Sequence, residues 1–421
     1  THRICQRVLF QRDMGMEEGW IADNQKKNVF IYAGRLANNG ITASLKNLLN
    51  NVDKEKNNYY LLFSTKDVRN NLDTVKELTQ SIRYYCYKGA ANLTISQKVW
   101  QLMYKMRLIQ TDRFMKRMRG PYQYELQRIF ASARIDTIIQ FSGYGYHTIN
   151  LFSTFPGNKV IYVHANMLEE IRIRKNQRED ALRYAYSAYD KVAVVTDDII
   201  EPTTEISRRS DNIFVCHNVI DHQGIEAKGK LPLQLTDKTT VYPGISQLDS
   251  VLSNGRKKFI NIGRFSPEKG QMRLLDAFSR VCRTCGDVDL IIIGGSSYKD
   301  HYNKIVEHVE KLHLQDHVIL VKNLPNPFPL VKKCDYSVLS SFAEGFGLVI
   351  AEADVLGLPV VSVDISGPRN FIKKYGGTLV PNSEEGLYEG MMECIRGNVS
   401  CMHVDYAQYN KEAVKEFEAL L

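Results

Sequence analysis

The chain alternates short apolar runs, rich in Val, Ile and Tyr, with longer segments in which apolar and polar residues are mixed. Apolar runs of this length are typical of strands buried in a parallel sheet, with helices as the connections. The runs form two series, so we predict an α/β fold with two sheets. The first series lies at 29–34, 59–64, 136–142, 159–164, 191–196 and 212–218, and the second at 259–263, 289–295, 317–323, 336–341 and 359–364.

The two series also predict the domain boundaries. Residues 222–256 are rich in Gly, Pro, Lys, Thr and Ser and have little apolar periodicity, which is typical of a linker or hinge. Apolar residues recur at helical spacing in 406–421, which predicts a last helix that packs on a nearby surface. The predicted organisation is an N-terminal extension 1–27, a first domain 28–221, a linker 222–256, a second domain 257–403 and a C-terminal helix 404–421.

Composition argues against several classes of protein. The 421 residues include 55 Lys and Arg against 47 Asp and Glu, a net charge of +8, which is ordinary for a globular chain and argues against disorder. No apolar run approaches the ~20 residues of a membrane span, and no signal peptide is recognisable, so a cytoplasmic protein is expected. The first residue is Thr1 rather than Met, which suggests either a processed chain or a piece of a longer one that has further domains upstream. The eight scattered cysteines are expected to be reduced.

A basic segment lies at 98–128. It holds eight Lys and Arg residues against two acidic residues, and eight minus two gives a local charge of +6, interleaved with large apolar residues. Such an amphipathic region could face an anionic surface, such as the inner face of a membrane, or a polyphosphate. The simpler alternative is a helical region that packs its apolar side into the core and leaves its cations in water. A nucleic-acid partner is not expected, because no recognised nucleic-acid motif accompanies the charge.

The most informative segment chemically is 340–353, SSFAEGFGLVIAEA, which follows a predicted strand and enters a predicted helix. Gly345 and Gly347 lack Cβ atoms, so an anion can approach the backbone, and the free N–H groups of a helix start favour a phosphate. Glu344 could bind hydroxyls beside that phosphate. Glu352 lies about 7.5 Å further along the helix than Gly347, which is within reach of a ribose. The alternative is a glycine-rich turn followed by a solvated glutamate.

A second candidate element, 261–270, also joins a predicted strand to a predicted helix. Arg264 and Lys269 lie five residues apart, and Pro267 stiffens the turn between them. Two cations so placed could neutralise a diphosphate while a bond to it breaks. Alone they would be expected in solvent, but the glycine-rich segment on the same predicted unit favours a function.

The pair Glu344 and Glu352, preceded by Arg264 and Lys269, resembles the signature of the retaining glycosyltransferases of family-4 type. The resemblance implies the GT-B architecture, in which two Rossmann-like domains face each other across a cleft, with the C-terminal helix returning to the first domain. It also implies that the two cations bind the donor diphosphate and that Glu352 binds the ribose. The donor sugar and phosphates would contact Glu344 with the backbone of Gly345, Phe346, Gly347 and Leu348, and the base would contact Val321, Lys322 and Asn323.

Other parts of the resemblance lie in the first domain, which would be the acceptor side. His164 stands where the family has a strand-end histidine near the reacting sugar carbon, although a lone histidine there is more often structural. Gly40 would approach the donor, in a loop that lacks the family's paired glycines. Residues 218–221 resemble the family's Asn-Gly-Val-Asp turn, with Val219 in place of Gly. The run at 38–42, Asn-Asn-Gly-Ile-Thr, is similar to transferase modules of teichoic-acid polymerases from Gram-positive bacteria.

The function implied is that of a retaining hexosyltransferase, with His164, Glu344, Arg264 and Lys269 as catalytic residues. For the donor we favour UDP over GDP and N-acetylglucosamine or glucose over mannose, although the sequence does not fix the base or the sugar. The acceptor would be a hydroxyl of a glycan or of a teichoic-acid-like polyol phosphate, with no cofactor and no metal. An epimerase or phosphorylase of the same fold, or a non-catalytic scaffold, stays open. Two further motifs, Asp287-Val288-Asp289 and Cys282-x-x-Cys285, have the form of metal sites but are expected to be structural. The first precedes a predicted strand and is far from any phosphate loop, and the second has no further Cys pair at ligand spacing.

Overall fold

The computed structural model describes residues 25–34, 36, 40–79, 82–87, 92–130, 133–174, 177–295 and 300–421. The chain forms two compact units, the first made of residues up to Val219 together with Asn410–Leu421 and the second of Ile220–Tyr409. Each unit is built on a sheet of seven strands. The predicted α/β fold with two Rossmann-like domains is confirmed.

The first unit has strands β1 Lys27–Tyr32, β2 Asn57–Ser64, β3 Arg83–Tyr87, β4 Thr137–Gln140, β5 Asn158–Val163, β6 Lys191–Val194 and β7 Ile213–Val215. All pair in parallel, in the order β3-β2-β1-β4-β5-β6-β7. Its helices are α1 Gly40–Asn51, α2 Thr65–Asn70, α3 Leu72–Leu78, α4 Ile95–Lys105, α5 Thr111–Phe130, α6 Tyr146–Phe152, α7 Met167–Glu169, α8 Glu179–Ala188 and α9 Ile200–Ser207. A π-helical turn spans Glu170–Arg174, and a 3-10 turn spans Asp197–Ile199.

The second unit has strands β8 Thr240–Tyr242, β9 Lys257–Ile262, β10 Val288–Gly294, β11 Val318–Lys322, β12 Tyr336–Leu339, β13 Val360–Val363 and β14 Thr378–Val380. Their order is β14-β13-β12-β9-β10-β11-β8, and all pair in parallel except β8, which is antiparallel to β11. The helices are α10 His222–Gly229, α11 Ile245–Ser253, α12 Gln271–Cys285, α13 His301–Lys311, α14 Phe328–Val331, α15 Leu348–Val355, α16 Pro368–Tyr375 and α17 Glu384–Arg396, with a 3-10 turn at Pro267–Lys269. The last helix, α18 Tyr406–Glu418, begins in this unit, and its residues from Asn410 onwards belong to the first unit.

The central strands are buried on both faces, which is why they appear in the sequence as continuous apolar runs. In β10, residues 288–293 are all buried. Three strands, β3, β8 and β14, were not predicted. All three lie at sheet edges, and two are only three residues long, so they carry little apolar periodicity.

Residues 222–256, where the sequence predicts a linker, are folded into the second unit. They form α10, α11 and the edge strand β8, in which Tyr242 pairs with Leu320 of β11. The exposed surfaces of these short elements leave few apolar positions, and this explains the linker-like composition. The C-terminal residues belong to the first unit as expected: Phe417 is fully buried near Tyr59, and the Asn158 amide donates to the Leu420 carbonyl at 2.9 Å.

Candidate functional site

Two loops of the second unit leave the carboxyl ends of adjacent strands, β9 and β12. The chain runs from β9 to β10 on one side of the sheet, whereas β12 lies on the other side of β9, so the strand order reverses between them. In open α/β sheets, ligands bind at such a switch point, outside the carboxyl ends of the strands. Residues 263–270 follow β9 and residues 340–347 follow β12, so the fold brings the two predicted motifs together at this point.

A buried ion pair joins the two loops. Lys269 Nζ lies 2.5 Å from Glu344 Oε1, and the side chains are only 17% and 12% exposed. The Ser341 hydroxyl donates to the same carboxylate oxygen at 2.6 Å, and the Ser340 hydroxyl donates to the Lys269 carbonyl at 2.8 Å. The loops are therefore fixed to each other by both side chains and backbone, with an ammonium group held at the sheet edge.

Arg264 lies on the same loop as Lys269 but has a different environment. Its side chain is 44% exposed and pairs with Glu268 at 3.0 Å, one helical turn along the chain. Its backbone is packed closely, because a Cβ on Gly294 would lie 2.0 Å from the Gly263 carbonyl oxygen. The guanidinium is thus accessible to a ligand, while the backbone beside it is closely packed.

The glycine-rich segment leads directly into helix α15. Gly347 precedes the helix with φ of +80°, a left-handed conformation that favours glycine, and Leu348 is the first helical residue. Phe346 is buried and packs edge-on against Phe371 of α16, with ring centroids 5.2 Å apart. The first N–H groups of an α-helix have no partner within the helix, so this loop offers amide donors to an anion.

Glu352 lies in α15, one turn beyond its start. The residue is partly buried, and burial raises the pKa of its carboxyl to about 7. Near neutral pH the side chain therefore exists in both protonation states. Since an ionised carboxylate is the stronger acceptor for hydroxyl groups, a ribose bound here would favour the ionised form.

The predicted base-binding residues lie at the carboxyl end of strand β11 and directly after it. Val321 is buried inside the strand, Lys322 Nζ lies 4.5 Å from the centroid of the Tyr302 ring, and Asn323 has φ of +58°. The Asn323 N–H donates to the Gly294 carbonyl at 2.9 Å, which links this loop to the end of β10. The contacts fix the loop's conformation, and its role with a base stays a prediction.

The first unit carries two of the predicted site residues, His164 and Gly40. His164 is buried after β5, and its Nε2 lies 2.6 Å from the Phe141 carbonyl oxygen. A carbonyl only accepts, so Nε2 carries the proton and Nδ1 is left as an acceptor. Burial lowers the pKa of the ring to about 4, so the imidazole is neutral at pH 7. Gly40 is the exposed first residue of α1, and positions 35 and 37–39 of its loop lie outside the described residues.

Two positions that sequence reasoning missed support the site. Arg273, in α12, donates to the carbonyls of Ser340 and Ser341 at 2.7 and 3.1 Å, and its guanidinium lies 3.9 Å from the Phe342 ring centroid. Gly367 has φ of +97°, and a Cβ there would lie 2.2 Å from the Gly345 carbonyl oxygen. Nothing in the local sequence distinguishes this arginine from a solvated one, because its partners are backbone atoms distant in sequence.

The two metal-like motifs have structural surroundings. Asp289 is fully buried, accepts from the Asn254 amide at 2.8 Å and pairs with Arg256 at 3.3 Å. Cys282 and Cys285 lie in the last turn of α12, and both are free thiols. Within the described ranges, no group of three or more His, Cys, Asp or Glu side chains has the arrangement of a metal site.

Known proteins resemble both the sequence and the fold. Residues 247–412 match the family described as glycosyl transferases group 1. An uncharacterized glycosyltransferase of Methanocaldococcus jannaschii is 26% identical over 300 residues, which are 64% of this chain and 70% of the relative. The N-acetyl-alpha-D-glucosaminyl L-malate synthase of Bacillus anthracis is 26% identical over 186 residues, which are 44% of each chain.

The fold is shared with Anabaena HepE, solved in complex with UDP-glucose. The match has a TM-score of 0.62 at 16% identity and covers 93% of this chain and 99% of that chain. At this identity the likeness shows the fold alone, and it extends over both units. Residues 247–412, nearly all in the second unit, are thus similar to the glycosyl transferases group 1, and the two units together share the fold of HepE.

Proposed function

We propose that this protein transfers a hexose from a UDP-sugar to a hydroxyl of a glycan or polyol-phosphate acceptor, with retention of the anomeric configuration. The observation that carries the proposal is the pair of Lys269 and Glu344, held at the switch point of the second sheet beside the start of α15. This arrangement places a cation, a carboxylate and the first amides of a helix at the carboxyl end of the sheet, which suits a sugar diphosphate.

The reaction's main demand is to stabilise the charge that develops on the leaving diphosphate. Lys269, Arg264 and the amides at the start of α15 could supply that stabilisation without a metal ion, because the loops that carry them are fixed to each other before the donor arrives. Lys269 would turn from Glu344 towards the phosphate, and the released carboxylate would then accept from a sugar hydroxyl. Retention is proposed from the resemblance to family-4 enzymes, in which the leaving phosphate assists the acceptor on the same face of the sugar.

UDP-glucose and UDP-N-acetylglucosamine are the proposed donors. A complex with UDP-glucose is known for HepE, which has the same fold, and the Bacillus anthracis relative is named N-acetyl-alpha-D-glucosaminyl L-malate synthase. We propose Glu352 as the ribose ligand and Val321–Asn323 as the base contact. The acceptor is proposed as a glycan or a teichoic-acid-like polyol phosphate.

The test begins with thermal unfolding of the full chain in the presence of UDP, GDP and their sugars. A ligand at 100 times its dissociation constant stabilises the folded state by about 2.7 kcal/mol, which is readily measured. Transfer is then assayed with the stabilising donor and candidate acceptors, with and without EDTA, and the anomeric configuration of the product is read by NMR. No stabilisation by any sugar nucleotide, in a protein that is folded, would overturn the proposal.

A parallel reaction with donor alone separates the remaining functions of the same fold. An epimerase would change the donor without an acceptor, and a phosphorylase would require inorganic phosphate. A scaffold would leave every donor unchanged. Each of these outcomes would replace the transferase assignment.

A further inference from the structure

Helix α4 exposes apolar side chains to solvent. Ile95, Val99, Leu102 and Met106, which immediately follows the helix, are 82%, 51%, 55% and 60% exposed. At 3.6 residues per turn, positions separated by four, three and four residues lie on one face, so these side chains form a continuous stripe. Leu108, in the turn that leads to α5, extends the exposed apolar surface and is 65% exposed.

The opposite face of α4 attaches the helix to the first unit. Tyr104 is buried, stacks on Phe114 with ring centroids 4.1 Å apart, and bonds through its hydroxyl to Thr111 at 2.9 Å. Arg178 lies over the Tyr104 ring and donates to its carbonyl at 2.7 Å. The stripe is therefore held facing outwards by packing on the other side of the helix.

Exposed cations surround the stripe. Residues 95–119 contain seven Lys and Arg against Asp112 alone, and seven minus one gives +6; all seven are exposed: Lys98, Lys105, Arg107, Arg113, Lys116, Arg117 and Arg119. In the described part of the chain none of the seven has an ion-pair partner, whereas Arg128, outside this range, pairs with the buried Glu125. Lys98 and Lys105 lie about 70–90° around the helix from the centre of the stripe, both on the same side.

We infer that residues 95–119, named here the basic amphipathic segment, dock on an anionic bilayer surface with the apolar side chains at headgroup depth. A membrane interface takes up both parts of the surface: apolar side chains enter the boundary of the acyl region, and cations bind anionic headgroups. A soluble polyanion would satisfy the cations but would leave five large apolar side chains in water. This inference concerns the first unit only and does not rest on the proposed donor chemistry.

The test is flotation of the full chain with vesicles of phosphatidylcholine, alone or with 30 mol% phosphatidylglycerol. The wild type should bind the anionic vesicles, and binding should weaken as salt is raised, since screening shortens the range of the lipid charge. The double variant Lys98→Glu with Lys105→Glu should bind at least about 25-fold more weakly, from about fivefold for each cation lost near an anionic surface. Leu102→Glu with Met106→Glu should lose binding at every salt concentration.

Matched controls lie in the second unit. Leu231→Glu with Ile245→Glu changes two apolar side chains of similar exposure, and Lys332→Glu with Lys333→Glu changes two exposed cations. Both should bind as the wild type does, and all four variants should unfold at the wild-type temperature, because every changed side chain is exposed. The inference is overturned if the wild type does not bind anionic vesicles, or if the two double variants in residues 95–119 bind them normally. It is also overturned if sedimentation shows that the apolar stripe of α4 pairs two copies of the chain instead.

Discussion

Lys269 Nζ and Glu344 Oε1 lie 2.5 Å apart and join the loop after β9 to the loop after β12. Arg264 is paired in the same way with Glu268. The two cations and two carboxylates sum to zero charge, so the unliganded loops are neutral. If a diphosphate binds here as proposed, it must draw at least one cation away from its carboxylate, and in the unliganded protein Glu344 and Glu268 would occupy the places of phosphate oxygens.

Replacing Lys269 tests this exchange. We expect Lys269→Ala to lower the transfer rate by about 10²–10³-fold, the usual loss when one fixed donor to a developing anion is removed. The measurement is kcat/KM, with the unfolding temperature followed in parallel.

The matched control is Lys257→Ala, at the other end of the same strand, where the ammonium pairs with Asp335 at 3.2 Å. This variant removes a similar ion pair from the amino end of the sheet and should leave transfer unchanged. Equal activity losses in the two variants would indicate a structural effect of both ion pairs and would contradict the assignment.

Glu352 predicts a pH dependence of nucleotide binding. Its pKa is raised by burial to about 7 from an ordinary value near 4.5, so the unliganded protein takes up a proton there as the pH falls below 7. If the ribose binds the ionised form, UDP affinity should decrease between pH 8 and pH 5.5, and Glu352→Gln should bind more weakly with a flat profile. Calorimetry in two buffers of different ionisation enthalpy would detect the proton released on binding.

The same raised pKa affects folding in the opposite direction: UDP affinity should decrease as the pH falls, whereas the stability of the folded protein should decrease as the pH rises. A raised acid pKa means that the folded state is most favoured below pH 4.5 and loses that contribution as the pH rises through 7. Glu352→Gln should therefore reduce the loss of stability between pH 5 and pH 8. A variant that binds UDP with the wild-type profile would show that Glu352 does not contact the nucleotide.

Most central strands could be predicted from the sequence, because a strand that is buried on both faces has a continuous run of apolar residues. The edge strands β3, β8 and β14 could not, and β8 and β14 are only three residues long and carry no periodic signal. The two phosphate-binding candidates could be predicted as strand-to-helix junctions with cations, carboxylates and glycines. Their direct contact through Lys269 and Glu344 depends on strand order, which the sequence pattern does not specify.

The basic segment shows a second limit. Its apolar residues look alike in sequence, yet Phe114, Met115 and Met118 of α5 are buried whereas Leu102 and Met106 are exposed. The alternative of a helix that packs its apolar side into the core therefore holds for α5, whereas α4 exposes apolar side chains to solvent. Helical spacing gives the width of an apolar face but not whether a sheet or solvent lies beyond it.

The close approach at Gly367 predicts a loss of both stability and donor affinity when a side chain is added. In Gly367→Ala the new Cβ would collide with the Gly345 carbonyl oxygen, so the loop before α15 must shift. We expect destabilisation of about 1–3 kcal/mol and weaker UDP binding. Gly397→Ala is the control, because Gly397 has φ of +77° and no atom within 4 Å of a new Cβ. It should be strained without affecting UDP binding.

His164 predicts a loss of stability in acid. Its pKa is lowered by burial from 6.5 to about 4, so its contribution to folding is present above pH 6.5 and is lost as the pH falls through 4. The loss amounts to at most about 3 kcal/mol. His164→Gln has no charge to gain, so its stability should fall less between pH 6.5 and pH 4, as followed by urea unfolding. His313→Asn, at an exposed histidine, should leave the acid profile unchanged.

The same variant tests the proposed catalytic role of His164. Because Nε2 donates to the Phe141 carbonyl, only Nδ1 could accept from a sugar hydroxyl. The amide of Gln can replace the Nε2 donor, but it cannot at the same time place an acceptor where Nδ1 lies on the ring. A transfer rate at least tenfold lower at pH 7.5, with normal UDP binding and a folded protein, would support a contact with the reacting sugar. An unchanged rate would assign His164 to the core, where it packs between Phe141 and Tyr162.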